Sequence, residues 1–401
     1  MAYRRRLTQD VTVYDSAKTY DGYTLFAPTF NPDAWLIDMR GRVVNHWALK
    51  HAPASHGRLL PNGNLLWQAK GPGSMDKDFV GAGSELVEYD WDGNEVWRYE
   101  ELGLNHDFLP LPNGNLIVNV FSVVPPDLMK QVKGGIPGTE LNGKMYSAWF
   151  KEIDRSGNCI WDWKMYEHLD IEKHQICPLC DRRVWGFNNS LALMPDGKLL
   201  FTMRLMNRVC LLDRETNEIT WEFGEPTGEP IGHPHCCTPV GNGNVLLYDN
   251  GLHRKSTDPA LSLADFAASR VIEIDPKTNE VVWCYQDELS PNFFSAICSG
   301  AQRLPNGNTL ICEATKGRVF EVTADKDVVW EYVSPFLVLR PGYWGWTLSA
   351  TVWQAHRYPP EFPGFAGKNL DPDQWEWVIQ KKSEASKQEE TVLKRLESLG
   401  Y

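Results

Sequence analysis

The sequence lacks the two features that would insert a protein into a membrane or export it. Its 401 residues contain no apolar run of 18 or more, so no transmembrane helix is expected. The first ten residues, MAYRRRLTQD, include no apolar segment of the kind found in secretory signals. We therefore expect a cytoplasmic protein with no membrane partner.

The sequence also lacks an excess of basic residues and a cysteine pattern typical of disulfides. Lys and Arg number 40 against 52 Asp and Glu, a formal net charge of −12. Because affinity for a phosphate backbone requires a basic surface, we expect no nucleic-acid partner. The nine cysteines are odd in number and scattered, which argues against a disulfide framework and favours free thiols or metal ligands.

Tryptophan, by contrast, is abundant, and the 17 copies reveal an internal repeat. A turn phrase, Leu-Pro-Asn-Gly-Asn or a close variant, recurs at residues 60–64, 111–115, 194–198, 240–244 and 304–308. Asn-Gly between apolar runs is a strong β-hairpin signal, because both central residues favour positive φ. A second phrase places a Trp on a strand that follows a short polar turn. Its six copies end at Trp47, Trp97, Trp161, Trp221, Trp283 and Trp330.

The two phrases together describe a repeated unit of four antiparallel strands. We therefore predict an all-β fold, a six-bladed β-propeller of four-stranded antiparallel blades. The N-terminal unit begins at its second strand, Gly22–Pro28, whereas Leu348–Pro359 resembles a first strand with no successors. We expect these two segments to pair, because this pairing would close the ring and remove its edges.

The domain organisation follows from the ring. Residues 1–20 are predicted to form an N-terminal arm, residues 21–360 the propeller and residues 361–401 a C-terminal extension. The extension should contain a helix with Asp371 as its N-cap and Pro372 in its first turn. Three roles stay open for this helix: packing on the ring, forming a homo-oligomer, or lying in solvent.

Functional side chains are expected at the mouth of the central channel, because the first strand of each blade lines it. Counting six residues back from the second residue of each of the five turn phrases, and from Pro359 after the last strand, gives the series Ser55, His106, Asn189, His235, Ser299 and Trp353. His56 and His356 lie on or beside the same strands. Imidazoles that face one axis can bind a metal ion or transfer protons and groups near neutral pH. A purely structural role is the alternative for each.

Arginines gather at the same end despite the negative net charge. Arg204 ends a second strand, Arg254 follows Asn250–His253, and Arg318 opens a third strand. A guanidinium group binds two oxygens of a sulfate, phosphate or carboxylate at once, so we predict a small anionic or aromatic substrate. The alternative is that these arginines pair with carboxylates of the loops. The predicted substrate-binding residues are His56, Asn189, Arg204, Ser299 and His356.

Three segments on this face resemble the bacterial aryl-sulfate sulfotransferase family. They are Asn105–Asn115, His235–Gly251 with the following Arg254, and Ser299–Asn308. The resemblance covers roughly residues 20 to 335. It implies a six-bladed propeller in which a central histidine carries a sulfuryl group from an aryl sulfate to a phenol. It also implies that His106, His235 and Arg254 hold the sulfate oxygens.

One position departs from the pattern of that family. The resemblance places the nucleophilic histidine in the segment Lys316–Glu321, where this chain has Arg318. A guanidinium keeps its proton and cannot carry a sulfuryl group as an imidazole can. Either His235, His106 or Cys298 serves as the nucleophile instead, or the reaction differs. The predicted catalytic residues are His106, His235, Arg254 and Arg318.

A second constellation offers metal ligands. His168, His174, Cys177 and Cys180 lie within thirteen residues and supply the ligand types of a tetrahedral zinc site. Zinc or another transition metal is therefore the candidate cofactor, with free thiols and a redox pair as alternatives. The segment His233–Cys237 also offers ligands, but adjacent side chains of a strand point to opposite faces and cannot all converge.

The leading hypothesis is an enzyme that resembles aryl-sulfate sulfotransferases and acts on an anionic or phenolic substrate. One alternative is a metal-dependent hydrolase or lyase in which the channel histidines hold the ion. The other is a propeller scaffold without catalytic activity, which would leave the polar channel residues unexplained.

Overall fold

The computed structural model describes residues 10–255, 268–289, 292–342 and 345–375. These residues form an all-β propeller of antiparallel sheets with very little helix. The one α-helix among them, α1, spans Pro126–Met129. Short 3-10 turns lie at Met165–Glu167, Arg204–Met206, Ala314–Lys316, Pro363–Phe365 and Pro372–Trp375. Within this part of the chain, no helix is long and apolar enough to span a bilayer.

Among the described residues, the alternating apolar runs between turn phrases form 26 strands. In chain order they are β1 (Asp10–Tyr14), β2 (Tyr23–Pro28), β3 (Asp33–Ile37), β4 (Val43–Ala48), β5 (Pro53–Leu59), β6 (Leu65–Ala69), β7 (Ala82–Tyr89), β8 (Glu95–Pro110), β9 (Leu116–Val123), β10 (Tyr146–Ile153), β11 (Cys159–Lys164), β12 (Leu191–Leu193), β13 (Leu199–Met203), β14 (Arg208–Asp213), β15 (Glu218–Phe223), β16 (His235–Pro239), β17 (Val245–Asp249), β18 (Arg270–Asp275), β19 (Glu280–Tyr285), β20 (Gly300–Arg303), β21 (Thr309–Glu313), β22 (Arg318–Val322), β23 (Val328–Val333), β24 (Val338–Gly342), β25 (Gly345–Ser349) and β26 (Val352–Tyr358).

Four sheets stand as separate blades, fewer than the six predicted. Their strand orders are β26-β2-β3-β4, β12-β13-β14-β15, β16-β17-β18-β19 and β1-β23-β22-β21-β20. The two remaining predicted units are merged in one seven-stranded sheet that runs from β5 to β11. The merger arises because β8 continues for 16 residues, pairing with β7 through Asn105 and with β9 from Leu104 onward. The strands β24 and β25 form a separate hairpin.

The two chain ends are built into the ring. β2 pairs antiparallel with β26, so that Leu25 lies opposite His356, and this confirms the predicted closure. β1 adds a fifth strand to its blade by pairing with β23, so part of the predicted N-terminal arm belongs to a sheet. Of the predicted C-terminal helix, the structure shows the single turn Pro372–Trp375, and residues 376–401 lie outside the described residues.

The six repeated tryptophans link each unit to the next. Each indole N–H donates a hydrogen bond to the turn between the third and fourth strands of the following unit. The bonds run from Trp47 to Asp90 O (2.9 Å), Trp97 to Arg155 O (2.7 Å), Trp161 to Asn217 Oδ1 (2.9 Å), Trp221 to Asn279 Oδ1 (2.6 Å), Trp283 to Ala324 O (2.9 Å) and Trp330 to Met39 O (2.8 Å). Because the last bond returns to the first unit, the six bonds form a closed cycle.

At four of these tryptophans an arginine lies over the indole and pairs with a Glu that also binds the Asn-Gly turn. The Arg303 guanidinium lies 4.6 Å above the Trp283 ring and 2.5 Å from Glu273 Oε2. The other oxygen of Glu273 accepts a hydrogen bond of 2.6 Å from Asn244 of the Asn-Gly turn. The equivalent groups are Arg155 with Trp97 and Glu88, Arg214 with Trp161 and Glu152, and Arg357 with Trp330 and Glu321. The buried Glu therefore interacts with both repeated phrases: it accepts a hydrogen bond from the Asn-Gly turn, and it pairs with the arginine that stacks on the Trp.

We expect Trp330→Phe to lower the free energy of unfolding by about 1–3 kcal/mol more than Trp35→Phe, because it leaves the Met39 carbonyl without its donor. Trp35 is the matched control: both side chains are buried, but the Trp35 indole N–H has no hydrogen-bond partner among the described residues. Urea unfolding of both variants gives the comparison. Equal losses of stability would contradict a role for the indole hydrogen bond.

Candidate functional site

A cavity of about 320 Å³ lies where several inner strands meet the loops at one end of the ring. Its polar lining includes His106, Arg204, His235 and Cys298, and its aromatic lining is Phe79, Phe187 and Trp353. These residues come from β8, β16, β26 and the loops before β7, β12, β14 and β20. The cavity is therefore assembled from units that are distant in sequence, and it combines cationic, imidazole and aromatic surfaces.

His106 presents one ring nitrogen to the cavity. Its Nδ1 lies 2.5 Å from Asn105 Oδ1, which assigns the proton to Nδ1 and leaves the Nε2 lone pair free. Gly81 backs directly onto the ring, because a Cβ there would lie 2.6 Å from Cε1. Burial, with a further effect from Arg204, lowers the pKa of His106 to about 3. The imidazole is therefore neutral at physiological pH.

His235 has both ring nitrogens engaged. Nδ1 lies 2.8 Å from Asn250 Oδ1, and Nε2 accepts a hydrogen bond of 3.2 Å from the backbone N–H of Cys298. Burial first, and then Arg204, lower the pKa of His235 well below its usual range. This neutral imidazole holds the loop that precedes β20 and fixes one wall of the cavity.

Arg204 is a cation without a counter-charge in contact. It begins a 3-10 turn after β13, and its backbone N–H donates to Phe187 O at 2.8 Å. Its guanidinium makes no hydrogen bond or ion pair with any residue that the structure describes. A half-buried guanidinium beside neutral imidazoles is suited to bind the oxygens of a sulfate, phosphate or carboxylate.

Strained backbone marks the same region. His106, Cys298 and Ser299 adopt the left-handed conformation, with φ values of 56°, 55° and 83°. Such conformations cost roughly 1–3 kcal/mol each in non-glycine residues and persist where the surroundings impose them. Two of the three, His106 and Cys298, line the cavity, so the imposed conformation lies at its wall.

Both predicted catalytic arginines, Arg254 and Arg318, lie outside the cavity lining. Arg254 donates to Asp249 Oδ2 at 2.8 Å and to a backbone carbonyl. Arg318 lies 2.5 Å from Glu331 and 3.3 Å from Glu313. Both arginines follow the alternative that the sequence left open, pairing with carboxylates of the protein.

Two of the predicted substrate-binding residues are held in buried hydrogen bonds outside the cavity lining. Asn189 Oδ1 accepts from Thr202 at 2.6 Å, and its amide donates to Pro234 O at 3.0 Å. Ser299 Oγ accepts from the backbone N–H of Ala314 at 3.1 Å. These polar side chains satisfy the backbone where the inner strands begin.

His56 and His356 form a separate buried group with their rings 5.7 Å apart. His56 Nε2 lies 3.4 Å from Asp107 Oδ1 and 3.2 Å from Arg58 Nε. Burial, reinforced by Arg58, lowers the pKa of His56 well below its usual range and that of His356 to about 3. Neither histidine lines the cavity.

The predicted metal ligands are only partly brought together. Cys177 and Cys180 are close, but His168 stacks on Trp163 at 4.7 Å, and His174 Nε2 lies 3.1 Å from Glu222. Their places beside the cysteines are taken by His233 and His253. The ligand set proposed from spacing is therefore corrected, because these histidines arrive from other loops and no local spacing could connect them to the cysteines.

No motif in the sequence identifies the rim of the cavity. Arg183 donates to Asp78 O at 2.6 Å and lies 2.8 Å from Asp181 Oδ2, which ties the β6–β7 loop to the loop before β12. All three residues line the cavity. The β6–β7 loop, residues 70–81, is long, and loops of this length often cover a binding pocket.

Comparisons with known proteins place these observations in a family context. The profile of the family described as Arylsulfotransferase (ASST) matches residues 8–332. No curated protein matches the chain. Among solved structures, a protein of unknown function from Bacteroides caccae has a TM-score of 0.51 at 12% identity, covering 84% of this chain and 98% of its own. An inactive virginiamycin B lyase from Staphylococcus aureus, solved with quinupristin, has a TM-score of 0.44 at 10% identity, covering 86% and 97%. At 12% identity, the likeness to the Bacteroides caccae protein shows the fold alone.

We expect Arg204→Gln to weaken the binding of inorganic sulfate by roughly 10- to 100-fold, the effect of losing a charged hydrogen-bond donor. Arg254→Gln serves as the control and should leave sulfate binding unchanged, because Arg254 is paired with Asp249 outside the cavity. Isothermal titration calorimetry measures both. The assignment of Arg204 would be overturned by equal sulfate affinity in wild type and Arg204→Gln.

The free energy of unfolding is expected to fall as the pH drops from about 6.5 toward 3. His106 and His356 bind a proton in this window in the unfolded chain but not in the folded protein, where their pKa values are about 3. Each then contributes a loss approaching about 1.4 kcal/mol per pH unit. His356→Gln should reduce this slope by close to one proton. Urea unfolding at several pH values tests this, and an unchanged slope would contradict the buried neutral state of His356.

Proposed function

The chain belongs to the arylsulfotransferase (ASST) family, and from this membership we propose that it transfers a sulfuryl group from an aryl sulfate to a phenolic acceptor in the cavity described above. The observation that carries the proposal is the unpaired guanidinium of Arg204 beside neutral imidazoles and aromatic rings. An aryl sulfate needs a cation for its oxygens and an apolar surface for its ring, and this cavity offers both.

His106 is the proposed sulfuryl carrier. Its Nε2 lone pair attacks sulfur, the bond from sulfur to the aryl oxygen breaks, and the aryl oxide leaves with the electron pair and takes a proton from solvent. The acceptor phenol then loses its proton to solvent, and its oxygen attacks sulfur, which returns the electron pair to Nε2. The depressed pKa keeps His106 unprotonated for the first step, and Asn105 holds the Nδ1 proton throughout.

The other candidate nucleophiles receive less support. Both ring nitrogens of His235 already take part in hydrogen bonds. Burial raises the pKa of the Cys298 thiol to about 12, so the thiolate is scarce at neutral pH. In this proposal His235 positions the Cys298 loop, and Arg204 holds the sulfate oxygens and stabilises the charge that develops on them.

The metal-dependent hydrolase or lyase is not supported by a ligand set in the channel. Among the described residues, the group of ligand atoms that converges is the cluster around Cys177 and Cys180, outside the cavity lining. His106 and His235 make the separate hydrogen bonds given above, and His56 and His356 form their own group. A scaffold without activity would not account for an unpaired cation in an aromatic cavity.

We also propose that the ring has six blades and that the protein works in the cytoplasm. The seven-stranded sheet then consists of two blades that share β8, in agreement with the six tryptophan bonds, each of which joins neighbouring units. An odd number of cysteines scattered along the chain, as in this sequence, is typical of a reducing compartment.

We expect His106→Ala to reduce kcat for sulfuryl transfer from a chromogenic aryl sulfate to phenol by roughly 10³-fold or more, because the carrier nitrogen is lost. A ³⁵S-labelled donor without acceptor should label wild-type protein but not this variant. Arg318→His is the control and should give no gain of turnover, because residue 318 lies outside the cavity lining.

Two results would count against the proposal, and they differ in meaning. Wild-type turnover in His106→Ala would remove His106 as the carrier but keep the reaction. No turnover by wild type with a panel of aryl sulfates and phenols would overturn the sulfuryl-transfer assignment itself.

A further inference from the structure

Four metal-ligating side chains converge beside the cavity although they come from three separate loops. Cys177 and Cys180 lie between β11 and β12, His233 precedes β16, and His253 follows β17. One ligand atom from each lies within 4.8 Å of all the others. The distances are 3.3 Å from Cys180 Sγ to His233 Nε2, and 3.6 Å from each Sγ to His253 Nδ1.

Three of the six ligand-to-ligand separations, 3.3 Å and twice 3.6 Å, match a tetrahedral coordination shell, and the other three are within 4.8 Å. With zinc bonds of about 2.3 Å to sulfur and about 2.0–2.1 Å to nitrogen, the edges of a tetrahedron are roughly 3.3–3.8 Å. Two thiolates and two imidazoles are also the ligand types that zinc prefers over calcium or magnesium. The side chains therefore have the spacing and the chemistry of a Cys₂His₂ site.

The neighbouring backbone holds the ligands in this arrangement. The Cα of Gly232 lies so close to the segment 252–254 that a Cβ there would be 2.7 Å from Leu252 O, and Gly251 N–H donates to Gly232 O at 2.9 Å. This contact places His233 and His253 side by side. On the other side, the backbone N–H of Cys177 donates to Leu205 O at 2.7 Å.

Two of the four positions are also strained. His233 and His253 both adopt the left-handed conformation, with φ values of 52° and 56°. Strain of this kind in non-glycine residues is maintained only when other interactions impose it, and coordination to a common ion would supply such an interaction. Cys177, Cys180 and His233 are buried, and His253 is half-buried. Four protein ligands fill a tetrahedral shell and leave no position for a substrate.

We propose that Cys177, Cys180, His233 and His253 bind one zinc ion that fastens three loops of the propeller to one another. The ion is structural and takes no part in sulfuryl transfer. Its position matters for the cavity, because the loop that contains the cysteines continues into Asp181 and Arg183, and because Cys177 is bonded to the turn that begins at Arg204.

The test is metal analysis of the full-length, untagged protein after incubation with zinc and desalting. We expect about one equivalent of zinc per chain, with less than roughly a tenth of an equivalent in Cys177→Ser and His253→Gln. Cys159→Ser and His168→Gln are the matched controls and should retain the full equivalent, because Cys159 is exposed and His168 stacks on Trp163. Removal of zinc by a chelator should lower the melting temperature by several degrees.

Cobalt substitution keeps the proposal testable if the ligand variants fail to fold. Wild-type protein loaded with Co²⁺ should show the visible bands of a tetrahedral site and a thiolate-to-cobalt absorption. Absence of both, or less than about a tenth of an equivalent of zinc in wild type, would overturn the site. Loss of zinc in His168→Gln would overturn the ligand set. None of these measurements depends on enzymatic turnover, so they stand apart from the test of sulfuryl transfer.

Discussion

The hydrogen bond from each repeated indole to the next unit is the interaction on which the rest of the structure depends. Four-stranded antiparallel units have exposed edges and few reasons to pack in one order. The indole N–H reaches a single group on the neighbouring turn, and the cycle closes only when Trp330 meets Met39. At four positions an arginine over the indole pairs with a buried Glu, and the same Glu accepts a hydrogen bond from the Asn-Gly turn. Both repeated phrases therefore stabilise the contact between neighbouring units.

Closure of this ring is what allows a polar cavity to exist at one end. The inner strands bring His106, His235 and Trp353 together from units far apart in sequence. Burial keeps both imidazoles neutral, while Arg204 keeps its charge without a partner among the described residues. The unpaired guanidinium beside two neutral imidazoles is suited to an anion, whereas the carboxylates of Asp78 and Asp181 lie at the rim of the cavity.

The metal-ligating cluster shows the same principle at a smaller scale. His233 and His253 are 20 residues apart and reach Cys177 and Cys180 only because glycines let two loops touch. The backbone of Cys177 then bonds to the turn that begins with Arg204. The position of the cysteine loop and the position of the Arg204 guanidinium are therefore physically connected, although the cluster and the cavity consist of different side chains.

Turn chemistry and strand alternation are local, so the sequence by itself determined the strands and the hairpins. The incomplete repeats at the two ends of the ring identified β2 and β26 as partners, and the repeat placed His106 and His235 on inner strands. The repeated Trp likewise identified the fourth strand of each unit. Tertiary structure decided which charges are free: Arg254 and Arg318 meet carboxylates, whereas Arg204 does not. Tertiary structure also decided which histidines lie beside Cys177 and Cys180, namely His233 and His253 rather than His168 and His174. Charge pairing and ligand convergence depend on distances through space, and no spacing along the chain contains them.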